Sequence, residues 1–428
     1  MRDMTKGSIS QHMLQFTVPL LLSNVFQQLY ITADIIIVGR YLGKESLAAV
    51  GSAGAIMNVL LFLLIGVSIG TSVLIAQYYG SDDKVLVKKE LGTALTAGLL
   101  FTVCLTVVAL FGADWALKVI QTPDEIMQQA SAYLRIIIAG LVFTFLYNML
   151  AAALRALGDA KIPVLILFAC AFTNIALDIF FIGYLSMGVQ GAALATVISQ
   201  ALAFSLCGAY IFFKVPIFQL TKNEFRMDIS LLGQTVEYSG IYAIQQCVVY
   251  LGVFFVQGTV NTLGIDAMAA YNAVTKIDSF ALLPGDSLAA SFSTFVAQNK
   301  GAKKDARIFS SLKFVAVIGL CFCGILALLL PFISDRLMQL FLEDYDYNVV
   351  SLGVSYLSIM SLLYPLTAIC NSFQGLFRGL GNMRITLIAT LIQIPIRVIL
   401  ATLLSGYFYL NAIPIATGIG WSCMIVYE

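Results

Sequence analysis

The stretch NIALDIFFIG, residues 174–183, sets an amide, Asn174, and a carboxylate, Asp178, four residues apart inside an otherwise apolar run. On a helix that spacing puts both on one face. An ionised carboxylate at the middle of a bilayer costs on the order of 2.5–3.5 kcal/mol on insertion scales. Such a group persists where it reaches water, pairs, binds a cation or takes up a proton. A second carboxylate, Asp34, lies in LYITADIIIVGRYLG, and a hydroxyl, Thr196, follows the turn GVQG. Counting rise from the helix starts puts Asp34 about 30 Å and Asp178 about 24 Å along their helices, with Thr196 at comparable depth. Two carboxylates, an amide and a hydroxyl are hard oxygen donors that suit Na⁺ or a proton rather than zinc or copper. The same groups would also serve as a hydrogen-bond cluster that only packs helices together.

The second half of the chain offers fewer candidates. Asp278 and Lys276 are two residues apart and so do not face each other on a helix. Asp278 is read as lining a cavity of that half or as pairing with Arg397. Asp286 follows LLPG, where Pro284 and Gly285 predict a break or bend, and Pro19 predicts another kink. Glu237 falls at a helix start, where the interface solvates it. The eight cysteines all sit in apolar runs without a CxxC pair and read as small packing residues, not as a metal site or disulfide framework. The single histidine, His12, precedes the first span. No GxxxxGK[ST] loop is present, so the chain is not itself an ATP-driven pump. Without an intramembrane histidine, a GxGD or an HExxH string, intramembrane proteolysis is not expected either. No cofactor is implied, and the driving energy must come from an ion gradient or a partner.

The elements that must position these groups are membrane helices. Of 428 residues, 60% are hydrophobic and 11% charged, against about 25% charged in a soluble domain. The net charge of +1 suggests no nucleic-acid partner. Residues 1–12 are polar and the apolar run after them is long enough to span, so no cleavable signal peptide is expected. Windows of about 20 apolar residues predict twelve spans, at 14–38, 52–76, 91–111, 133–153, 162–183, 191–213, 238–260, 274–297, 312–333, 352–376, 385–405 and 411–427. Seventeen Lys and Arg fall at the N-terminus and in the loops near 77–90, 155–162, 214–230, 298–313 and 377–384, against Arg40, Lys44, Lys118, Arg336 and the helix-end Arg135 on the other side. The positive-inside bias then predicts cytoplasmic termini in a multi-pass protein of the cell membrane. The acidic FLEDYDYN (341–348) would face outside. The last span, ending at Glu428 without a basic tail, is expected to be short or cut.

The halves repeat. SLAAVG (46–51) and AQYYG (76–80) match AMAAYN (267–272) and AQNKG (297–301) at an offset of 221, and NMLAAALRALGD (148–159) matches NSFQGLFRGLGN (371–382) at 223. Six spans per half make a parallel repeat, the architecture of transporters that rock two bundles about a central cavity. The expected division is an N-terminal bundle over 1–213, a polar linker over 214–230 and a C-terminal bundle over 231–428.

With PLLLSNVFQQLYITADIIIVGRYLG (19–43), AQYYGSDD (76–83), LRALGDAKIP (154–163), NIALDIFFIG (174–183), GVQGAALATVISQ (188–200), GIDAMAAYN (264–272), AQNKGAKK (297–304) and FRGLGNMR (377–384) in place, the chain resembles the MATE family of multidrug and toxic compound extrusion transporters along essentially its whole length. The resemblance implies an all-α integral membrane fold with two pseudo-symmetric six-helix bundles about a V-shaped cavity. It also implies antiport of organic, cationic amphipathic compounds against Na⁺ or H⁺, with small organic substrates and membrane lipid as partners and no obligate protein partner. It maps a cation site onto Asp34, Asn174, Asp178 and Thr196, with Asn148 and Tyr133 in the surrounding network, although the rise count puts Asn148 only about 10 Å from the cytoplasmic end. A second family pattern places acids in the seventh and tenth spans. Neither span carries a mid-membrane acid here, which leaves Asp278 as the C-terminal candidate. A flippase of lipid or lipid-linked oligosaccharide would need a cationic cavity, for which Lys276 and Arg397 are the only deep basic residues. A receptor or scaffold without transport is disfavoured by the repeat and by the paired buried acids.

Overall fold

The computed structural model describes residues 2–219, 227–340 and 346–428; 220–226 of the expected linker and 341–345 of the acidic segment lie outside the described residues. The described chain is helical without strands: α1 (Ile9–Gly80), α2 (Lys84–Val119), α3 (Asp124–Ala139), α4 (Leu141–Ala156), α5 (Lys161–Asp178), α6 (Val189–Lys214), α7 (Ile229–Asn261), α8 (Ile265–Gly301), α9 (Asp305–Gln339), α10 (Tyr347–Leu380), α11 (Met383–Phe408) and α12 (Ala412–Tyr427). Hydrocarbon offers backbone amides no partners, so apolar segments of this length close their hydrogen bonds internally as helices.

Among the described residues nine helical segments are long and apolar enough to cross a membrane, and a tenth span is the pair α3–α4, bent by 47°. Two of those ten segments each contain two of the expected spans. Helix α1 kinks at Gly43, and the segment 383–427 is divided at Tyr409 between α11 and α12. Ten plus two gives the twelve spans of the sequence.

The breaks follow backbone chemistry more than proline. Gly43 adopts φ 80°, ψ −174°, a region open in practice only to glycine. Gly264, 221 residues on, adopts φ 98°, ψ 175° just before α8. Two further left-handed positions recur at the repeat offsets, Asp82 with Lys303 and Gly158 with Gly381. The repeat is therefore written into the backbone as well as the side chains. Of the break or bend expected at Pro284, a break is absent, since α8 runs through it, as α1 runs through Pro19. A membrane helix tolerates proline where neighbouring groups take up the freed carbonyl.

Packing divides the chain into two units: residues 1–4 with 18–243, and 5–17 with 244–428. Helix α7 runs through that boundary. In the first unit, Val38, Ala49, Leu64, Ala130, Leu134, Ile138, Leu141 and Phe145 form the buried core. There α7 lies against α1 with almost no side chain between them. A Cβ on Gly70 would sit 2.5 Å from the Ser239 nitrogen, and one on Gly66 would sit 2.7 Å from the Ala243 Cβ. This is the small-residue crossing that lets membrane helices gain dispersion energy without a hydrophobic driving force. In the second unit Val274, Tyr356, Leu357 and Tyr364 belong to the core. Residues 5–7 are held there by Lys304, which donates to the Thr5 carbonyl (2.7 Å), and Arg307, which donates to that of Gly7 (2.8 Å). Phe111, Trp115, Leu328 and Phe332 stand exposed, an apolar exterior suited to hydrocarbon.

Polar residues gather at the helix ends as caps. Asp83 accepts from the Leu86 amide (2.9 Å) and opens α2, and Asp346 accepts from the Asn348 amide (2.9 Å) and opens α10. Asp228, just before α7, accepts from the Ser230 hydroxyl (2.6 Å) and amide (3.0 Å) and pairs with Lys89 at 3.3 Å. Those donors, Ser230 first and then Lys89, hold its carboxyl below the usual carboxylate range.

Candidate cation site

The first unit draws residues from four helices to one place. Helix α1 contributes Tyr30 and Asp34, one turn apart on a shared face, and α5 contributes Asn174 and Asp178 by the same spacing. Thr196 comes from α6 and Tyr133 from α3. Asn174 and Asp178 are fully buried and Tyr133 nearly so. The carboxyl groups of Asp34 and Asp178 meet within hydrogen-bonding reach. With its amide turned to satisfy both neighbours, Asn174 donates to Asp178 Oδ2 at 2.8 Å and accepts from the Thr196 backbone nitrogen at 3.2 Å. The Tyr30 hydroxyl and Thr196 Oγ1 lie 3.5 Å apart. Tyr133 is close enough to interact electrostatically with Asp34, Tyr30 and Asp178.

Two features of this cluster point past simple packing. The Oδ1 atoms of both Asp34 and Asp178 are buried without a hydrogen-bond partner, and so is Oε1 of Gln200, one turn beyond Thr196. A helix-packing cluster would close its hydrogen bonds, because an orphaned buried acceptor costs about 1–3 kcal/mol. Unpartnered acceptor oxygens from two acids suit a bound positive charge. Moreover, α5 gives way directly after Asp178 to a π-helical turn, Ile179–Tyr184. Such bulges are uncommon and often accompany functional residues, because they re-aim the side chains beside them.

Of the residues expected from the sequence, Asp34, Asn174, Asp178, Thr196 and Tyr133 are brought together. Asn148 is not: its amide donates to the Thr144 carbonyl one turn back on α4 (2.8 Å). Tyr30 and Gln200 escaped the sequence reading, although each sits four residues from an expected ligand. Glu90 escaped it too. The sequence places it at the end of a polar loop, but Asp83 caps α2 early enough to carry Glu90 inside the helix, where it is fully buried.

In the second unit Asp278 accepts a short hydrogen bond from the Tyr364 hydroxyl, with Arg397 in electrostatic reach. Arg397 is also in electrostatic reach of Tyr271, whose ring stands edge-on to Tyr356 at 6.1 Å between centroids. Asp278 thus lies among tyrosines with Arg397 nearby. Lys276 is exposed and Glu237 half-buried. Asp286 accepts from the Asn371 amide at 3.2 Å.

The MatE family pattern matches residues 19–180 and again 242–403. This chain belongs to the MATE family. The two matches cover most of both halves and lie 223 residues apart, one of the offsets of the internal repeat. Relatives include the probable multidrug resistance proteins YoeA and YpnP of Bacillus subtilis. YoeA is 30% identical, covering 84% of this chain and 79% of that protein, and YpnP is 28% identical, covering 91% and 87%. The FAD transporter of Shewanella oneidensis is 26% identical over 71% of this chain and 68% of its own. A MOP superfamily transporter from Pyrococcus furiosus superposes with a TM-score of 0.92 at 23% identity, covering 99% of this chain and 95% of that one. A MATE transporter solved in a bent conformation gives a TM-score of 0.92, also at 23% identity, with 99% and 94% covered. The MATE chain described here is thus a multi-pass membrane protein of a multidrug efflux family, a transporter and not an enzyme.

Proposed function

We propose that this MATE protein is an antiporter of the cell membrane, with its N-terminus in the cytoplasm, that exports organic, cationic amphipathic compounds in exchange for Na⁺ or H⁺. The observation that carries the reading is the meeting of the Asp34 and Asp178 carboxyls with an unpartnered oxygen on each. Like charges in contact cannot both stay ionised and dry, so the pair calls for a cation or a proton between them. Asn174, Thr196, Tyr30 and Tyr133 supply the surrounding dipoles and hold the acids in register. When the ion leaves, repulsion returns to the pair, and helices α1 and α5 gain a reason to separate. Ion occupancy is in this way coupled to the shape of the unit. In this reading Asp278 is a cavity residue of the second unit.

The lipid or lipid-linked oligosaccharide reading needs deep cations free to hold phosphate. Lys276 is exposed, and Arg397 is engaged by Tyr271 and by the charge of Asp278. The relative that carries FAD, a bulky anion, makes charge selectivity the point to test. Full-length protein in proteoliposomes should exchange a fluorescent lipophilic cation against an imposed Na⁺ or proton gradient and leave FAD behind. Movement of FAD or lipid without the cation, or transport indifferent to both gradients, refutes the reading.

A further inference from the structure

Among the described residues, Glu90 is the one fully buried carboxylate that the cation site does not use. Its Oε1 accepts from the Thr235 hydroxyl of α7 at 2.9 Å, and its Oε2 has no partner. Thr235 Oγ1 also lies 3.0 Å from the Leu231 carbonyl, and one hydroxyl proton cannot serve both acceptors fully. An ionised Glu90 would therefore hold part of one hydrogen bond and leave its other oxygen dry. A protonated Glu90 removes the charge and adds a donor, which lets Thr235 turn to Leu231. Among the described residues, the neighbours supply no compensating charge. Tyr78 of α1 faces Glu90 and carries no charge near neutrality. Lys89, on α2 itself, is committed to Asp228. Glu237 and Tyr238 follow on α7, and Asp83 caps the start of α2.

The position gives this acid leverage. The Thr235 contact, the Tyr78 hydroxyl donating to Gln234 (3.4 Å) and the Gly66–Gly70 crossing against Ser239 and Ala243 hold the first half of α7 in the first unit, together with Ser239 donating to the Val67 carbonyl (3.3 Å) and the Asp228 contacts to Lys89 and Thr93 at its start. We propose that Glu90 is a second proton-binding site, separate from the Asp34–Asp178 cluster, and that its proton decides whether the start of α7 stays docked on α2. Deprotonation puts a dry charge into the α2–α7 seam, and the seam opens to solvate it.

The test reads structure and not transport, so it stands apart from the proposed antiport. Amide hydrogen exchange over 229–243 is compared between wild type, Glu90→Gln and Glu90→Asp at matched pH, which cancels the intrinsic pH dependence of exchange. Wild type and E90Q should be equally protected in acid. Buried glutamates have titrated as high as about pH 8–9, and toward that range wild type should exchange about tenfold or more faster than E90Q. E90D keeps a carboxyl and should retain the pH response, which preserves the comparison if the glutamine variant folds poorly. Identical exchange of E90Q and wild type at every pH, or a folded E90D without pH response, overturns the assignment.

Discussion

Replacing Asp178 with Asn removes one of two carboxylate charges in contact while keeping the shape of the side chain. A cation held by both acids sits about 4 Å from each charge, and at an effective dielectric of roughly 20 each attraction is worth about 4 kcal/mol. Losing one of them corresponds to roughly three decades in affinity. The Asp178→Asn and Asp34→Asn variants should each raise the half-saturating concentration of the coupling ion about a thousandfold, beyond the working range of a transport assay. The double variant loses both attractions and should show no saturable dependence on the coupling ion at all. Efflux from proteoliposomes is measured against Na⁺ at fixed pH and against pH without Na⁺, with thermal unfolding as the check on folding. Asn148→Ala is the control. Its amide is satisfied within its own helix, so half-saturation should stay within about twofold, the scale of a change away from any special feature. Wild-type half-saturation in both aspartate variants would refute the paired site.

Gly70→Ala would place a methyl group 2.5 Å from the Ser239 backbone nitrogen, where the partner is main chain and cannot step aside. An overpacking cost of about 1–3 kcal/mol is expected, read as a lowered unfolding temperature in detergent. Gly240→Ala, with nothing within 4 Å of the added atom, should leave that temperature unchanged or raise it. Asp228 predicts an acid dependence at the start of α7. Because its folded carboxyl is held low, its contribution is complete above the unfolded value and is lost as pH falls through the folded one. Wild type and Asp228→Ala should therefore differ in amide exchange over 229–235 near neutrality and converge in acid, and a difference that persists in acid would sink the argument.

Much of the fold follows from properties that each stretch of sequence carries alone. An apolar run has a length, hydrocarbon has a thickness, and a backbone in hydrocarbon must be helical, so the spans could be counted before any contact was known. The expense of a charge in lipid is equally local, which is why Asp34, Asp178 and Asp278 stood out. The repeat was visible as text, and the left-handed positions at Gly43 and Gly264, and at Gly158 and Gly381, are its backbone counterpart.

What the text did not carry is how residues 144 positions apart, such as Asp34 and Asp178, come to lie side by side. Spacing along one helix predicts a face but not the neighbour of that face. The neighbour is chosen by close packing of side chains from several helices at once. That choice gathered Tyr30, Tyr133 and Thr196 around the two acids and left Asn148 bonded to its own helix. It also turned Glu90 from an apparent loop residue into a sealed carboxylate. A residue's type sets what it costs to bury, whereas only the assembled structure decides whether it is buried and what it then touches.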